Sequence, residues 1–482
     1  MPALANNELR IVGFLCNWCS YGGADTAGVA RASQPTDLRI IRVPCSGRVD
    51  PLFVLKALLN GADGVLVSGC HPRDCHYGTG NFYARRRLEV LKRFLPILGI
   101  DPARFSYTWV SASEGQRWQK VVSRFTEEIH ALGPAPRFEA VEPLAKACSW
   151  TQESKGPVSV ISPELLEQLK KAIADKLPEL DCVLGWQEGR DLLHSVPLFI
   201  RSEDDLTKLR CDATCHNNLV RYLPDLKGQK VGIIVRSCEA RSVVQLLQEG
   251  LISREELVVF ALPCQGLLDL PRLEEALGRY QRLEDLTLTE TTLRLRVDGQ
   301  ERVFQTADFR QSRCEQCPGE LPAIADQSFG DFSGQTASQT LPPELAFLDS
   351  LNLQERMGFW RACMERCILC HACRNSCPMC VCRDQCIAES REPHWQSAEA
   401  SVKEKFFFQI IHALHLAGRC TGCGECQANC PVGLPIFALR AHLNRIVSEL
   451  FDGYQAGCDP KAVPPLLTYS QEEAHIHERS WE

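Results

Sequence analysis

The stretch CILCHACRNSCPMCVCRDQC occupies residues 367–386, and seven of its twenty positions are cysteine. Its first four cysteines are separated by two, two and three residues, and a proline follows them. A second run, CTGCGECQANCP at 420–431, repeats this spacing. Such spacing suits cubane clusters, because closely spaced thiolates bind one cluster while the fourth cysteine, before the proline, binds the partner cluster. The sequence therefore predicts two [4Fe-4S] clusters, with the ligands Cys367, Cys370, Cys373, Cys377, Cys420, Cys423, Cys426 and Cys430.

The surroundings of the two runs predict a helical domain. Helical hydrophobic patterns flank both runs, and the 53-residue step from Cys367 to Cys420 is long for a compact small ferredoxin. We expect a helical ferredoxin-type fold. Zinc is the alternative, but structural zinc usually takes separated pairs of ligands, which these runs do not provide. Four further cysteines near the first run could bind an extra cluster, but side chains so close to an existing cluster would compete for the same space. They are Cys363, Cys380, Cys382 and Cys386.

Composition limits the class of protein. The chain has 482 residues, 26 of them cysteine, with 45% apolar and 23% charged residues, which predicts a soluble globular protein of three domains. It begins without a secretory pattern and has no apolar run long enough to span a membrane, so we expect a cytoplasmic location. Thiols stay reduced there and serve as metal ligands or redox groups. The net charge of −7 offers no basic surface for nucleic acid.

The N-terminal region predicts a parallel α/β sheet. The segments ELRIVGFLC, DLRIIRVPC, DGVLVSGC and FSYTWV read as strands that alternate with helices. The first three strands end in cysteine, and the carboxyl ends of parallel strands meet at one edge of a sheet. We therefore expect a [2Fe-2S] cluster bound by four of five cysteines: Cys16, Cys19, Cys45, Cys70 and Cys75. His71 and His76 could replace a thiolate, or could form hydrogen bonds to nearby sulfur or backbone atoms.

The middle region predicts a mixed α/β fold. KGQKVGIIVRSC and LVVFALPC read as strands that end in cysteine, and LRLRVDGQERVF predicts a hairpin that turns at Asp298-Gly299. A subset of six cysteines could bind a further [4Fe-4S] cluster: Cys211, Cys215, Cys238, Cys264, Cys314 and Cys317. Zinc, or no metal, is the alternative because the spacing is irregular. The isolated Cys148, Cys182 and Cys458 are expected to be structural or incidental thiols.

Two regions resemble known families. FLCNWCSYGGADTAGVAR, RVPCSGRVDP, GADGVLVSGCHPRDCHYGTGN and the arginines Arg85 to Arg87 resemble the delta subunit of methyl-viologen-reducing hydrogenase over residues 8–133. This resemblance implies a [2Fe-2S] domain that passes electrons to a flavin-containing subunit of heterodisulfide-reductase type. SCEARS, LPCQG and RCEQC followed by ADQSFGDFSG resemble the beta subunit of deazaflavin-reducing hydrogenases and formate dehydrogenases. That family binds FAD and a [4Fe-4S] cluster, but its glycine-rich flavin-binding stretch has no counterpart here.

Together these patterns predict an iron-sulfur electron-transfer subunit of an oxidoreductase complex in anaerobic metabolism. We expect it to relay electrons between a subunit of a hydrogenase or formate dehydrogenase and a heterodisulfide-reductase-type flavin subunit, within a hetero-oligomeric complex. The alternative is a flavin-dependent oxidoreductase that exchanges hydride with a nicotinamide or deazaflavin in the middle domain. No catalytic acid, base or nucleophile motif is evident. The expected domains are 1–135, 161–342 and 343–482, with a linker at 136–160.

Overall fold

A computed structural model describes residues 9–144, 156–317, 319–332, 341–382, 386–388, 396–397 and 399–481. These residues form a parallel sheet with helices, then a mixed sheet with a small antiparallel sheet, and finally a group of helices. The order agrees with the predicted α/β, mixed α/β and helical architectures. In the described ranges, no helix has the length and apolar character needed to cross a bilayer.

The first sheet is parallel, as the alternating pattern predicts. Its strands are β1 (Ile11–Cys16), β2 (Leu38–Val43), β3 (Gly64–Gly69) and β4 (Phe105–Trp109), in the spatial order β2-β1-β3-β4. Its helices are α1 (Ser20–Val29), α2 (Pro51–Leu59), α3 (Gly80–Phe94) and α4 (Gly115–Leu132). The central strand β3 is buried along its whole length, because helices cover both faces of the sheet. The edge strand β2 instead exposes most of its side chains.

The middle region contains a five-stranded sheet in which one edge strand is antiparallel. Its helices are α5 (Pro163–Lys176), α6 (Ser237–Gln248) and α7 (Leu270–Leu277). The strands are β5 (Cys182–Glu188), β6 (Ser195–Ile200), β7 (Val231–Val235), β8 (Leu257–Ala261) and β12 (Gln327–Ser328). They lie in the order β12-β8-β7-β5-β6, and only β6 runs against its neighbour.

The predicted hairpin belongs to a separate antiparallel sheet. Its strands are β9 (Leu283–Leu288), β10 (Thr292–Val297) and β11 (Gln300–Gln305). Asp298 and Gly299 form the tight turn between the last two strands, with φ of 49° and 79°. Both angles are positive, as a two-residue hairpin turn of this type requires.

The C-terminal region is helical. Its helices are α8 (Pro343–Ser350), α9 (Leu353–Arg366), α10 (Ala372–Asn375), α11 (Val402–His415), α12 (Glu425–Ala428) and α13 (Phe437–Leu450). The short helices α10 and α12 lie within the two cysteine runs, and α11 connects the runs. Asn352 caps the N-terminus of α9 through its hydrogen bond with the Glu355 N–H, and Glu355 reciprocates.

The first sheet and the C-terminal helices share one hydrophobic core. Trp360 of α9 is fully buried, and its Nε1 donates to the carbonyl oxygen of Ile97 at 2.7 Å. Phe138, in the predicted linker, stacks on Phe406 of α11 with ring centroids 4.5 Å apart. The described part of that linker is therefore packed against the helices. Residues 145–155, including Cys148, lie outside the described ranges.

The C-terminal tail also binds the first domain. Arg86 of α3 forms an ion pair with Glu473 at 2.5 Å and donates to the carbonyl oxygen of Pro465 at 2.7 Å. Trp481 is buried in the apolar cluster that contains Trp118 and Phe125 of α4. The region of the first sheet is thus joined to the C-terminal helices by the shared hydrophobic core and by the contacts of the C-terminal tail.

Candidate metal centres

The first cysteine group lies at the carboxyl edge of the parallel sheet. Cys16 ends β1, and Cys70 immediately follows β3. Their sulfur atoms are 3.4 Å apart, and the sulfur atoms of Cys16, Cys19 and Cys70 all lie within 4.8 Å of one another. The hydrogen bond from Cys70 lowers the pKa of Cys16 to about 5 and raises the pKa of Cys70, so that Cys16 is the member of the pair favoured as a thiolate.

Cys45 and Cys75 complete this edge as a second pair, with sulfur atoms 3.6 Å apart. The close approach of the Cys45 sulfur to the N-terminus of α3 requires glycine at position 80, because a Cβ there would lie 2.4 Å from this sulfur. Burial raises the pKa of Cys45 to about 11, and the charges of Cys75 and Cys16 act in the same direction. The edge thus brings together all five predicted cysteines, as a group of three and a pair. Four thiolates are what a [2Fe-2S] cluster needs, so the residues fit.

The two histidines of this loop have other partners. His71 Nε2 is 2.6 Å from the Glu114 carboxylate. The ring of His76 stacks on Trp18 with centroids 3.8 Å apart. The partners are a carboxylate and an indole ring rather than the sulfur or backbone atoms expected from the sequence, and the five cysteines supply enough ligands without the histidines.

The two C-terminal runs have the same backbone conformation. Leu369 and Gly422, the third residues of the runs, have φ of 52° and 74°. His371 and Gly424, the fifth residues, have φ of 61° and 68°. Non-glycine residues rarely adopt this left-handed conformation, and it persists where the surroundings require it. The matching turns therefore indicate two equivalent loops, although only the second run carries glycine at both positions.

The fourth cysteine of the second run lies with the first three of the first run, and the fourth cysteine of the first run interacts electrostatically with the second run. Cys430 lines one small cavity together with Cys367, Cys370 and Cys373. The charge of Cys377 acts on all three earlier cysteines of the second run, and that of Cys430 acts on Cys367 and Cys373. The four-thiol cavity of the first site and the electrostatic link of Cys377 to the second run fit two cubane clusters.

The four cysteines around the first run that are not among the predicted cubane ligands have three different surroundings. Cys363 is fully buried in the shared core. The Cys380 sulfur lies within 4.8 Å of Cys377 and of a ring nitrogen of His412. Cys382 and Cys386 form a hydrogen-bonded pair, and this bond lowers the pKa of Cys386 to about 5.

Four of the six middle-region cysteines line one cavity of about 680 Å³. They are Cys238, Cys264, Cys314 and Cys317. Burial raises the pKa of Cys238, Cys264 and Cys317, and the cation Arg313 opposes this for Cys238 and Cys317. Cys211 and Cys215 do not line the cavity, and the Cys215 thiol instead contacts the carbonyl oxygen of Arg210 at 3.7 Å. Of the isolated cysteines, Cys182 is buried and Cys458 is exposed.

Two charged residues near these thiols were not identified as candidate site residues from the sequence. Arg313 lies directly before Cys314, and its side chain packs on Gly424, where a Cβ would be 2.4 Å from the arginine Cδ. The middle cavity therefore adjoins the second C-terminal run. Arg440 of α13 is fully buried near thiols of both runs. The only sequence signal for Arg313 is its position next to a cysteine, and Arg440 has none.

Two segments match known families. Residues 11–133 match the methyl-viologen-reducing hydrogenase delta subunit, and residues 363–434 match a 4Fe-4S dicluster domain. A chain of the F420-reducing [NiFe] hydrogenase complex from Methanosarcina barkeri gives a TM-score of only 0.27 at 17% identity, covering 36% of this chain and 69% of that chain. This likeness is too weak to assign a fold.

Individual relatives match the front segment. The iron-sulfur subunit of the vhc F420-non-reducing hydrogenase of Methanococcus voltae is 54% identical over 129 residues, which are 27% of this chain and 90% of that protein. Its counterpart in the F420-non-reducing hydrogenase of Archaeoglobus profundus is 50% identical, over 26% of this chain and 93% of that protein. One subunit of the ferredoxin:CoB-CoM heterodisulfide reductase of Methanosarcina mazei is 49% identical, but over only 16% of its own length. These matches support an iron-sulfur electron-transfer role. Through residues 11–133, the chain belongs to the family of methyl-viologen-reducing hydrogenase delta subunits.

Proposed function

We propose that the chain is a one-electron relay with a [2Fe-2S] cluster in the front domain and two [4Fe-4S] clusters in the C-terminal region. The observation that carries this proposal is the crossed grouping of the two C-terminal runs, in which Cys430 lines a cavity with Cys367, Cys370 and Cys373. Bound clusters supply one-electron chemistry, and the chain's own residues hold and insulate them. The shared core fixes the front cysteines relative to the C-terminal ones.

A further [4Fe-4S] cluster in the middle cavity would extend this relay. Five cysteines line it, and the proposed ligands are the four other than the exposed Cys458: Cys238, Cys264, Cys314 and Cys317. The contact between Arg313 and Gly424 supports electron exchange with the second C-terminal site, because it leaves no solvent layer between the two regions at that point. Cys211 and Cys215 have structural roles in this proposal.

The relatives support the choice of partners. They are named as subunits of hydrogenases and of a heterodisulfide reductase. We propose that the front domain passes electrons to a heterodisulfide-reductase-type flavin subunit, and that a hydrogenase or formate dehydrogenase subunit binds elsewhere on the chain. Trp18 and Tyr77, which are 46% and 57% exposed beside the front cysteines, would form part of the docking surface. Exposed aromatic side chains are typical of such surfaces.

A flavin-dependent oxidoreductase is the second candidate, and the size of the middle cavity favours it. About 680 Å³ lies within the range of cofactor pockets, and charged side chains line the cavity, among them Arg241 and Arg313 as well as Glu320 and Glu449. Flavin released by denaturing the purified protein would support this candidate. A protein that carries iron and sulfide without flavin would support the relay.

Anaerobic purification from the native cells tests the relay and its partners. We expect the chain to elute in a large assembly that contains a flavoprotein and a hydrogenase or dehydrogenase subunit. Addition of the dehydrogenase substrate to that assembly should then transfer electrons to the iron-sulfur clusters of this chain, and their spectra should change to those of the reduced clusters. A lone monomer that reduces a soluble nicotinamide or deazaflavin by itself would contradict the proposal.

A further inference from the structure

We infer that Arg440 is a positioning residue whose fixed positive charge, held between the two C-terminal cysteine sites, raises the reduction potentials of both clusters together. This inference rests on the proposed assignment of two [4Fe-4S] clusters. It concerns the chain's own side chains around those sites, on helices α11 and α13.

Arg440 is a buried cation that has no carboxylate partner among the described residues. It is 1% exposed, and its Nη1 donates to the carbonyl oxygen of Ile436 at 2.5 Å. A second bond runs from Nη2 to Nδ1 of His412. Within the described ranges no carboxylate pairs with this guanidinium, and its Nε has no hydrogen-bond partner. Arginine stays protonated in proteins, and a buried charge without compensation is strongly unfavourable. Another anionic group must therefore balance it.

Thiolates of both sites can supply that charge. The groups whose charge acts on the guanidinium are four cysteines, one from the first site and three from the second: Cys373, Cys377, Cys420 and Cys426. The contacts of the guanidinium place it beside both sites, because Ile436 lines the cavity of the first site and a ring nitrogen of His412 lies within 4.8 Å of the Cys377 sulfur. One cation thus stabilises thiolate ligands on either side of it.

Helix α11 adds a donor toward each site. A guanidinium nitrogen can only donate, so Nδ1 of His412 accepts from Arg440 and the ring proton is on Nε2. This Nε2 is buried without a partner among the described residues, and a ring nitrogen of His412 lies within 4.8 Å of the Cys377 and Cys380 sulfurs. One turn earlier, Gln409 Nε2 donates to the Cys373 sulfur at 3.7 Å. Arg440 therefore also fixes the orientation of a donor for the second site.

The physical effect follows from the charge change on reduction. Each cluster gains one negative charge, which a nearby cation and N–H donors stabilise. The interaction is strong because the site is buried and poorly screened. Since one guanidinium serves both sites, its removal should lower both potentials.

The test is a redox titration of the full chain, followed by electron paramagnetic resonance (EPR). Arg440→Gln removes the charge, and Arg440→Lys retains it. Arg445→Gln is the matched control on the same helix, because Arg445 is half-exposed and already paired with Asp349 at 2.8 Å. We expect Arg440→Gln to shift the midpoint potentials of both [4Fe-4S] clusters downward. Arg440→Lys should stay near the native potentials, and Arg445→Gln should match the native protein.

The alternatives are distinguishable. Unchanged potentials in fully loaded Arg440→Gln would overturn the inference. If Arg440→Gln loses iron while Arg440→Lys retains it, the dependence on charge is supported. Equal loss or equal shifts in both variants would contradict it, because shape rather than charge would then matter. Native protein without two [4Fe-4S] signals would overturn the proposed function itself, before any variant is compared.

Discussion

Cys430→Ala tests the crossed ligation of the C-terminal clusters. Cys430 belongs to the second run in sequence, but it lines a cavity with Cys367 and Cys370 of the first run. The substitution should therefore disturb the first-run cluster and leave the second-run cluster with all its ligands. Ligation within a single run makes the opposite prediction.

The structure gives the expected size of the effect. Removing one buried sulfur atom should cost on the order of 1 kcal/mol in packing, which is small against the roughly 5–15 kcal/mol stability of a folded domain. The lost hydrogen bond to sulfur, from the Leu434 N–H at 3.4 Å, is weak. The chain should stay folded. Two cubane clusters hold about eight iron atoms, so loss of one should remove about four.

The assay compares EPR spectra of reduced variants that have been purified without oxygen. Cys430→Ala should resemble Cys370→Ala, which removes a first-run ligand, and should differ from Cys423→Ala. Cys182 of β5, which lines neither cysteine cavity, provides the control, since Cys182→Ala should retain all iron and the native spectrum. A Cys430→Ala spectrum that matches Cys423→Ala would refute the crossed arrangement.

Two further substitutions test the front domain and the shared core. Gly80→Ala would place a Cβ 2.4 Å from the Cys45 sulfur, so it should lower the amount of bound [2Fe-2S] cluster. In the control Gly28→Ala the new Cβ would have no atom within 4 Å, so the amount of bound cluster should not change. Full cluster content in Gly80→Ala would argue against a cluster at this edge. Trp360→Ala should destabilise the protein by about 3–5 kcal/mol and lower its melting temperature, because the side chain is fully buried between regions. Trp18 is half-exposed, so Trp18→Ala should change the melting temperature little. Equal changes in the two variants would contradict the shared core.

Local patterns were sufficient to predict the front sheet. Each strand is a short apolar run followed by turn residues, and parallel strand ends meet at one edge whatever the rest of the chain does. Cys16 and Cys70 could therefore be placed together although 54 residues separate them. The spacing of the C-terminal runs likewise indicated which cysteines lie close together, since Cys430 lines a cavity with Cys367, Cys370 and Cys373, and the assignment of these residues as ligands stays a prediction.

Contacts between regions could not be predicted. The apolar Trp360 and Phe406 would suit the core of their own domain equally well, so nothing in the pattern pairs them with Ile97 and Phe138. Arg86 reads as a charged residue on an amphipathic helix, yet it binds Pro465, 379 residues away. Arg440 would ordinarily be assigned to a solvated face, but it is buried where α13 packs against α11 and bonds to His412.

A reductive titration of the anaerobically purified full chain tests the central claim most directly. Electrons are added stepwise while visible absorbance and EPR signals are followed. A relay of iron-sulfur clusters predicts broad absorbance that bleaches in about three or four one-electron steps, with signals of both [2Fe-2S] and [4Fe-4S] type and no flavin spectrum. A colourless chain that contains zinc, or a chain whose electrons enter an organic chromophore in pairs, would contradict it.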